Sequence, residues 1–114
     1  MKTKKKFAKI GRYNIKTIDI TALEWFDRVN GNSYFAGEII INYDLQGYKK
    51  IIMNFQYGYG SQYESEALKE LQKVCKQAKT FEGCLWRFCD EHNIIKRSTK
   101  LDNQRKKDLI HFMR

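Results

Sequence analysis

Two runs of alternating apolar and polar residues, joined by a short turn, constrain this chain more than any other feature. Phe35, Ile39, Ile41 and Tyr43 alternate with Glu38 and Asn42, and Ile51, Met53, Phe55 and Tyr57 alternate with Lys50, Asn54 and Gln56. Side chains on a strand point to opposite faces in turn, so each run reads as a half-buried strand. Asp44-Leu45-Gln46-Gly47 lies between them and supplies turn residues, which makes the pair an antiparallel hairpin. A sheet with one apolar face needs a cover. Tyr63, Ala67, Leu68, Leu71, Val74, Cys75 and Ala78 recur at helical spacing directly afterwards, with Glu66, Lys69, Glu70, Lys73 and Lys76 on the other faces. Ser61-x-x-Glu64 is placed as a capping box at the start of this helix.

Upstream, Ile15, Ile18 and Ile20 sit among Lys, Thr and Asp and read as a strand. Thr21–Asn30 supports two readings. Ala22, Trp25, Phe26 and Val29 have helical spacing, with Thr21-x-x-Glu24 as a second capping box, whereas Asn30-Gly31 between Trp25-Phe26 and Tyr34-Phe35 signals a hairpin. The hairpin is favoured. Cys84–His92 fits a short helix or a strand, Asn93–Ser98 looks like an edge strand, and Leu109, Ile110, Phe112 and Met113 anchor the C-terminus in either conformation. The expected class is α+β: an antiparallel meander of about three strands packed on one amphipathic helix, with short C-terminal elements. The expected division is a basic, flexible segment at residues 1–12 and one domain at 13–114, a size that can bury a real core.

Charge is uneven along the chain. The net of +9 comes from 22 basic and 13 acidic residues. Lys2, Lys4, Lys5, Lys6, Lys9 and Arg12 have no acid among them. Lys96, Arg97, Lys100, Arg105, Lys106, Lys107 and Arg114 face only Asp102 and Asp108 in the last stretch. The middle is close to neutral. Such ends suit a polyanionic partner, while a solvated tail is the plainer use of a lysine run. Lys4, Lys5, Lys6, Lys9, Arg12, Lys96, Arg97, Lys100, Arg105, Lys106 and Lys107 are therefore the candidate basic binding surface, a single surface if both ends lie on one side of the fold.

Phe55-Gln56-Tyr57-Gly58-Tyr59-Gly60-Ser61-Gln62-Tyr63 supplies a second candidate. Tyr57, Tyr59 and Tyr63 beside glycines could stack on unpaired bases. Their structural alternative is to wedge between sheet and helix, the commoner use of such rings. The two glycines do not complete a dinucleotide fingerprint, since the third would fall at Tyr63, and Glu64 and Glu66 would repel an anion at the helix start. Chemistry is poorly served elsewhere. Cys84, Cys89 and His92 lack the spacing of a zinc site, and nothing orients a Cys–His nucleophile pair. No metal, no cofactor and no enzymatic activity are expected. Three cysteines without a CxxC pair suit a reducing compartment. Met1–Gly11 has no apolar run of signal-peptide length and no stretch approaches membrane-spanning length, so the expected location is the cytosol, without membrane association.

Trp25-Phe26-Asp27-Arg28-Val29-Asn30-Gly31-Asn32-Ser33-Tyr34-Phe35, followed by Tyr57-Gly58-Tyr59-Gly60 and an amphipathic helix, resembles a group of small uncharacterised phage and mobile-element proteins. Their shared pattern is WF, then GN[ST]Y, then YGYG. The resemblance covers about residues 15–80, and loosely Asp90–Arg97. It implies a phage setting in a bacterial host cytosol and transfers no residue role. In that setting the expected activity is an anti-CRISPR-type inhibitor of a host defence nuclease, acting through the basic surface on the nuclease or its guide-RNA complex. The alternative is a nucleic-acid-binding accessory protein of phage replication, recombination or transcription. The sequence sets no oligomeric state.

Overall fold

A computed structural model of the chain describes residues 6–110. The α+β class holds. Among the described residues the main sheet has four strands of mixed direction and there are four helices, where a meander of about three strands on one amphipathic helix, with short C-terminal elements, was expected.

The chain opens with a small hairpin, β1 (Lys9–Ile10) and β2 (Tyr13–Asn14), paired Lys9 to Asn14 and Ile10 to Tyr13. Within the span read as a flexible segment, Ala8 is thus fully buried and its carbonyl accepts from the Ile15 amide. β3 (Thr17–Asp27) and β4 (Asn32–Ile41) then pair antiparallel from Ile18 with Ile41 to Asp27 with Asn32. The hairpin reading of Thr21–Asn30 is the one adopted, and the capping box at Thr21 does not form. Asp27 Oδ1 accepts from the amides of Val29 and Asn30 and closes the turn. β5 (Lys49–Tyr57) pairs antiparallel with β4, with an irregularity between Phe35 and Gly37. Gly37 is required by close approach, since a Cβ there would run into the Thr21 carbonyl.

α1 (Gln62–Val74) follows, but it ends where Cys75 turns extended, and α2 (Lys76–Lys79) restarts beyond it. The single helix read from Tyr63 to Ala78 is therefore two. Ser61 is the N-cap without a side-chain hydrogen bond; the Glu64 amide donates to the Ser61 carbonyl, and the Glu64 carboxylate accepts from Lys96 and Ser98 of β6 (Ile95–Leu101). α3 (Leu85–Glu91) settles the Cys84–His92 ambiguity as a helix. β6 is an edge strand, and it runs parallel to β3, Thr17 opposite Ile95 and Leu23 opposite Leu101. The strand order is β5-β4-β3-β6.

Alternation sorts the two faces. Ile18, Ile20 and Ala22 on β3, Phe35, Ile39 and Ile41 on β4 and Met53 on β5 point to α1–α3 and join Tyr63, Ala67, Leu68, Leu71, Phe88 and Cys89 in one core. At about 25 cal/mol per Å² of apolar surface removed from water, this layer is the main source of stability. The opposite face carries Thr21, Leu23 and Trp25, and α4 (Lys106–Ile110) packs there against β3 and β4 with Leu109 fully buried. Phe112 and Met113, named above as anchors, lie outside the described residues.

Candidate nucleic-acid interface

The C-terminal basic stretch is split: Lys96 and Arg97 lie opposite Ile18 and Asp19 near the start of β3, and Arg105, Lys106 and Lys107 lie near its other end. β1 and β2 precede the first residue of β3, whereas α4 lies near its far end, where the Lys106 ammonium sits 5.7 Å from the Trp25 ring centroid. Eight residues of strand separate Thr17 from Trp25, roughly 26 Å at about 3.3 Å per residue. Among the described residues, Arg105, Lys106 and Lys107 therefore do not share one electropositive surface with Lys9 and Arg12.

Three of those cations are engaged in ion pairs. Lys96 reaches Glu64 at 2.9 Å, Lys100 reaches Glu24 at 3.3 Å and Asp102 at 3.1 Å, and Arg97 makes a two-pronged contact with Asp19. Burial would raise the Glu64 carboxyl, but the hydrogen bond and charge of Lys96 and the Ser98 hydroxyl outweigh it and hold the group below its usual range. Desolvation would likewise lower Lys100, and its hydrogen bonds to Asp102 and Glu24 reverse the direction. These residues tie β6 to β3 and α1. Arg105, Lys106 and Lys107 are exposed near the other sheet end. Lys4 and Lys5 lie outside the described residues.

The tyrosines also separate. Tyr63 is buried in the core beneath α1, and burial, with the neighbouring Glu64, raises its hydroxyl. Tyr59 is exposed in the loop before α1. Tyr57 meets Tyr34 edge-on, beside a cluster in which Trp25, Tyr34 and Phe55 lie with centroids 5.2–6.2 Å apart. Those three rings are half-buried and occupied with one another and with Lys106. Such packing stiffens the sheet end and leaves Tyr57 as the accessible ring of the group.

What the fold does assemble is a cationic groove at the other end. Lys9, Arg12 and Lys16 line a concave surface of about 440 Å³ with Tyr13, Asn14, Leu45 and Gln46, and no acid is among the lining residues. All three cations are exposed, and none makes an ion pair among the described residues. The Arg12 guanidinium lies 5.4 Å from the Tyr13 ring centroid, which holds it at the rim. Lys16, Leu45 and Gln46 were outside the sequence-based candidates. Their signal was weak, because Lys16 stands as a single cation between β2 and β3, and Leu45 and Gln46 reach it only through the fold.

Asn42 builds this groove. It is fully buried, and its Oδ1 accepts from the amides of Lys16 at 2.7 Å and Thr17 at 3.3 Å. Its Nδ2 donates to the carbonyls of Asn14 and Gln46, both at 3.0 Å. One side chain thus ties both walls together. Its φ of +55° lies in the left-handed region that Asn tolerates better than most residues. Gly47 completes the clamp: with φ +84°, it lets the loop approach so closely that a Cβ would fall 2.6 Å from Tyr13 Cβ.

The nucleophile and metal candidates resolve differently. Burial pushes the Cys89 thiol up to about 12, so it stays protonated at neutral pH. His92 is buried, stacks on Phe88 with centroids 4.2 Å apart and donates from Nδ1 to the Phe88 carbonyl. Among the described residues no group of three or more His, Cys, Asp or Glu is placed to hold a metal ion, and no helix is long and apolar enough to cross a membrane. No family model, curated protein or solved structure matches the chain.

Proposed function

We propose that this chain is a non-enzymatic protein that binds nucleic acid, with the Lys9–Arg12–Lys16 groove as its phosphate-contacting surface. The carrying observation is three exposed cations on one concave wall without a lining acid. Lys2, Lys4, Lys5 and Lys6 precede that wall in the sequence and add to the positive charge of this stretch of the chain. Phosphate contacts supply most of the affinity in sequence-independent binding.

The expectation of a host defence nuclease as target narrows accordingly. Nucleic-acid channels of RNA-guided nucleases are cationic, and a chain of net charge +9 does not complement them. Contact with a nuclease–guide complex would run through its RNA. Direct nucleic-acid binding therefore becomes the leading reading.

Replacing Lys9, Arg12 and Lys16 together by Ala tests it. Binding to a labelled duplex, titrated against salt, should weaken, and the log–log salt slope should fall in magnitude by roughly 2–3, at about 0.9 for each phosphate no longer neutralised. The same treatment of Arg105, Lys106 and Lys107 should have a smaller effect. Unchanged affinity and slope in the groove variant, with the melting temperature preserved, would place the binding surface elsewhere.

A further inference from the structure

The groove is continuous with a second depression. Tyr43, Asp44, Leu45, Gln46 and Tyr48 line an open concavity of about 610 Å³ on the β4–β5 loop, and Leu45 and Gln46 belong to both surfaces. Tyr43 is 61% exposed and Tyr48 53% exposed. Neither packs against another ring among the described residues, in contrast to Trp25, Tyr34 and Phe55. Exposed apolar side chains gathered at one place mark interaction surfaces more often than chance. Here they stand beside unpaired cations, divided from them by the Leu45–Gln46 ridge.

We infer that this end of the molecule recognises single-stranded nucleic acid, the phosphates running along Lys9, Arg12 and Lys16 while unpaired bases stack on Tyr43 and Tyr48. The inference rests on the nucleic-acid reading above and adds the strandedness. In a duplex the base faces are already stacked, so the tyrosines would gain nothing from it. A single strand offers a charged backbone on one side and free π-faces on the other, and the surface offers their complements in the same arrangement. Asp44 on the tyrosine side disfavours a phosphate there and leaves that depression to bases. The clamp made by Asn42 and Gly47 fixes the loop against β2, so the two halves are held in register before a ligand arrives.

The test is fluorescence anisotropy with a labelled oligo-uridine or oligo-thymidine and a duplex of equal length, in the same low-salt buffer. Wild-type protein should bind the single strand at least about tenfold more tightly. Tyr43→Leu with Tyr48→Leu should lower single-strand affinity by about tenfold per ring and leave duplex binding and its salt slope unchanged, since one stacked base contributes roughly that factor. Both positions are exposed, so folding should be preserved. Photo-crosslinking of a bromouridine oligonucleotide to wild-type protein, mapped by mass spectrometry, gives an independent readout and should label Tyr43 or Tyr48. Equal affinity for both strands, no effect of the tyrosine changes and crosslinks elsewhere would overturn the inference. The groove reading would then survive if the Lys9, Arg12 and Lys16 variant still lost affinity. Binding to neither probe would remove both and point to a protein partner.

Discussion

Replacing Asn42 is the perturbation whose consequence follows most directly from the geometry. Asn42→Ala removes four side-chain hydrogen bonds and leaves the Lys16 and Thr17 amides and the Asn14 and Gln46 carbonyls without that partner. Net loss per intramolecular hydrogen bond is about 1 kcal/mol, and a buried group left unsatisfied costs about 1–3 kcal/mol. The Thr17 contact is long and water can reach the part-buried ones, so the hydrogen-bond loss comes to about 3–4 kcal/mol. Alanine at a φ of +55° adds about 1 kcal/mol of backbone strain. The expected total is about 4–5 kcal/mol, a large share of the stability of a domain this size. Asn42→Gly separates the contributions, because glycine adopts this φ freely and should be the less damaging change. Urea denaturation at pH 7 measures both. The Gly variant, if folded, should also bind nucleic acid more weakly, since the groove walls lose their tie. A loss below about 1 kcal/mol in Asn42→Ala, with m-value unchanged, would refute the view that this side chain holds the groove.

Other outcomes follow from single observations. Leu71→Ala, at a position 1% exposed under the sheet, should cost about 2–5 kcal/mol in the same assay. Thr17 Oγ1 is buried without a hydrogen-bond partner, so Thr17→Val should be neutral or stabilising by up to about 1 kcal/mol, read as a raised melting temperature. Folded protein treated with iodoacetamide at pH 8 should label Cys84, which is exposed, well before Cys75 and Cys89, as peptide mass spectrometry would show. Burial raises the Cys89 thiol from 9.0 to about 12. Its contribution to stability should therefore be complete below pH 9 and decline as pH climbs toward 12, where the unfolded chain is already ionised. Cys89→Ala should flatten that part of the stability–pH curve.

Local pattern decided a good part of this molecule. The alternation of Ile39, Ile41, Ile51 and Met53 determined which of them face the core. The register shift opposite Phe35–Gly37 turned Phe55 and Tyr57, expected on the same face, to the other side with Trp25 and Tyr34. Helical spacing from Tyr63 to Leu71 located the covering element, and the turn residues around Asn30-Gly31 determined that Trp25 belongs to a strand. The uneven placement of lysines was equally legible. What local pattern cannot carry is direction and distance. Ile95–Leu101 pairs parallel to β3 only because α1–α3 carry the chain across the sheet from the β5 edge. That crossing also sets Lys96 and Lys100 against Glu64 and Glu24, which turned cations expected at a binding surface into ties within the fold. The extended backbone at Cys75 interrupts a helical stripe whose apolar spacing continues through it. Above all, the length of β3 holds Arg105, Lys106 and Lys107 apart from Lys9 and Arg12. The pairing of β2 with β1 and the Asn42 clamp then bring Lys16 beside Lys9 and Arg12, and Leu45 and Gln46 beside all three. The Asn42 bonds to Lys16 and Asn14 join positions 26 and 28 residues apart, and only the packed chain determines them.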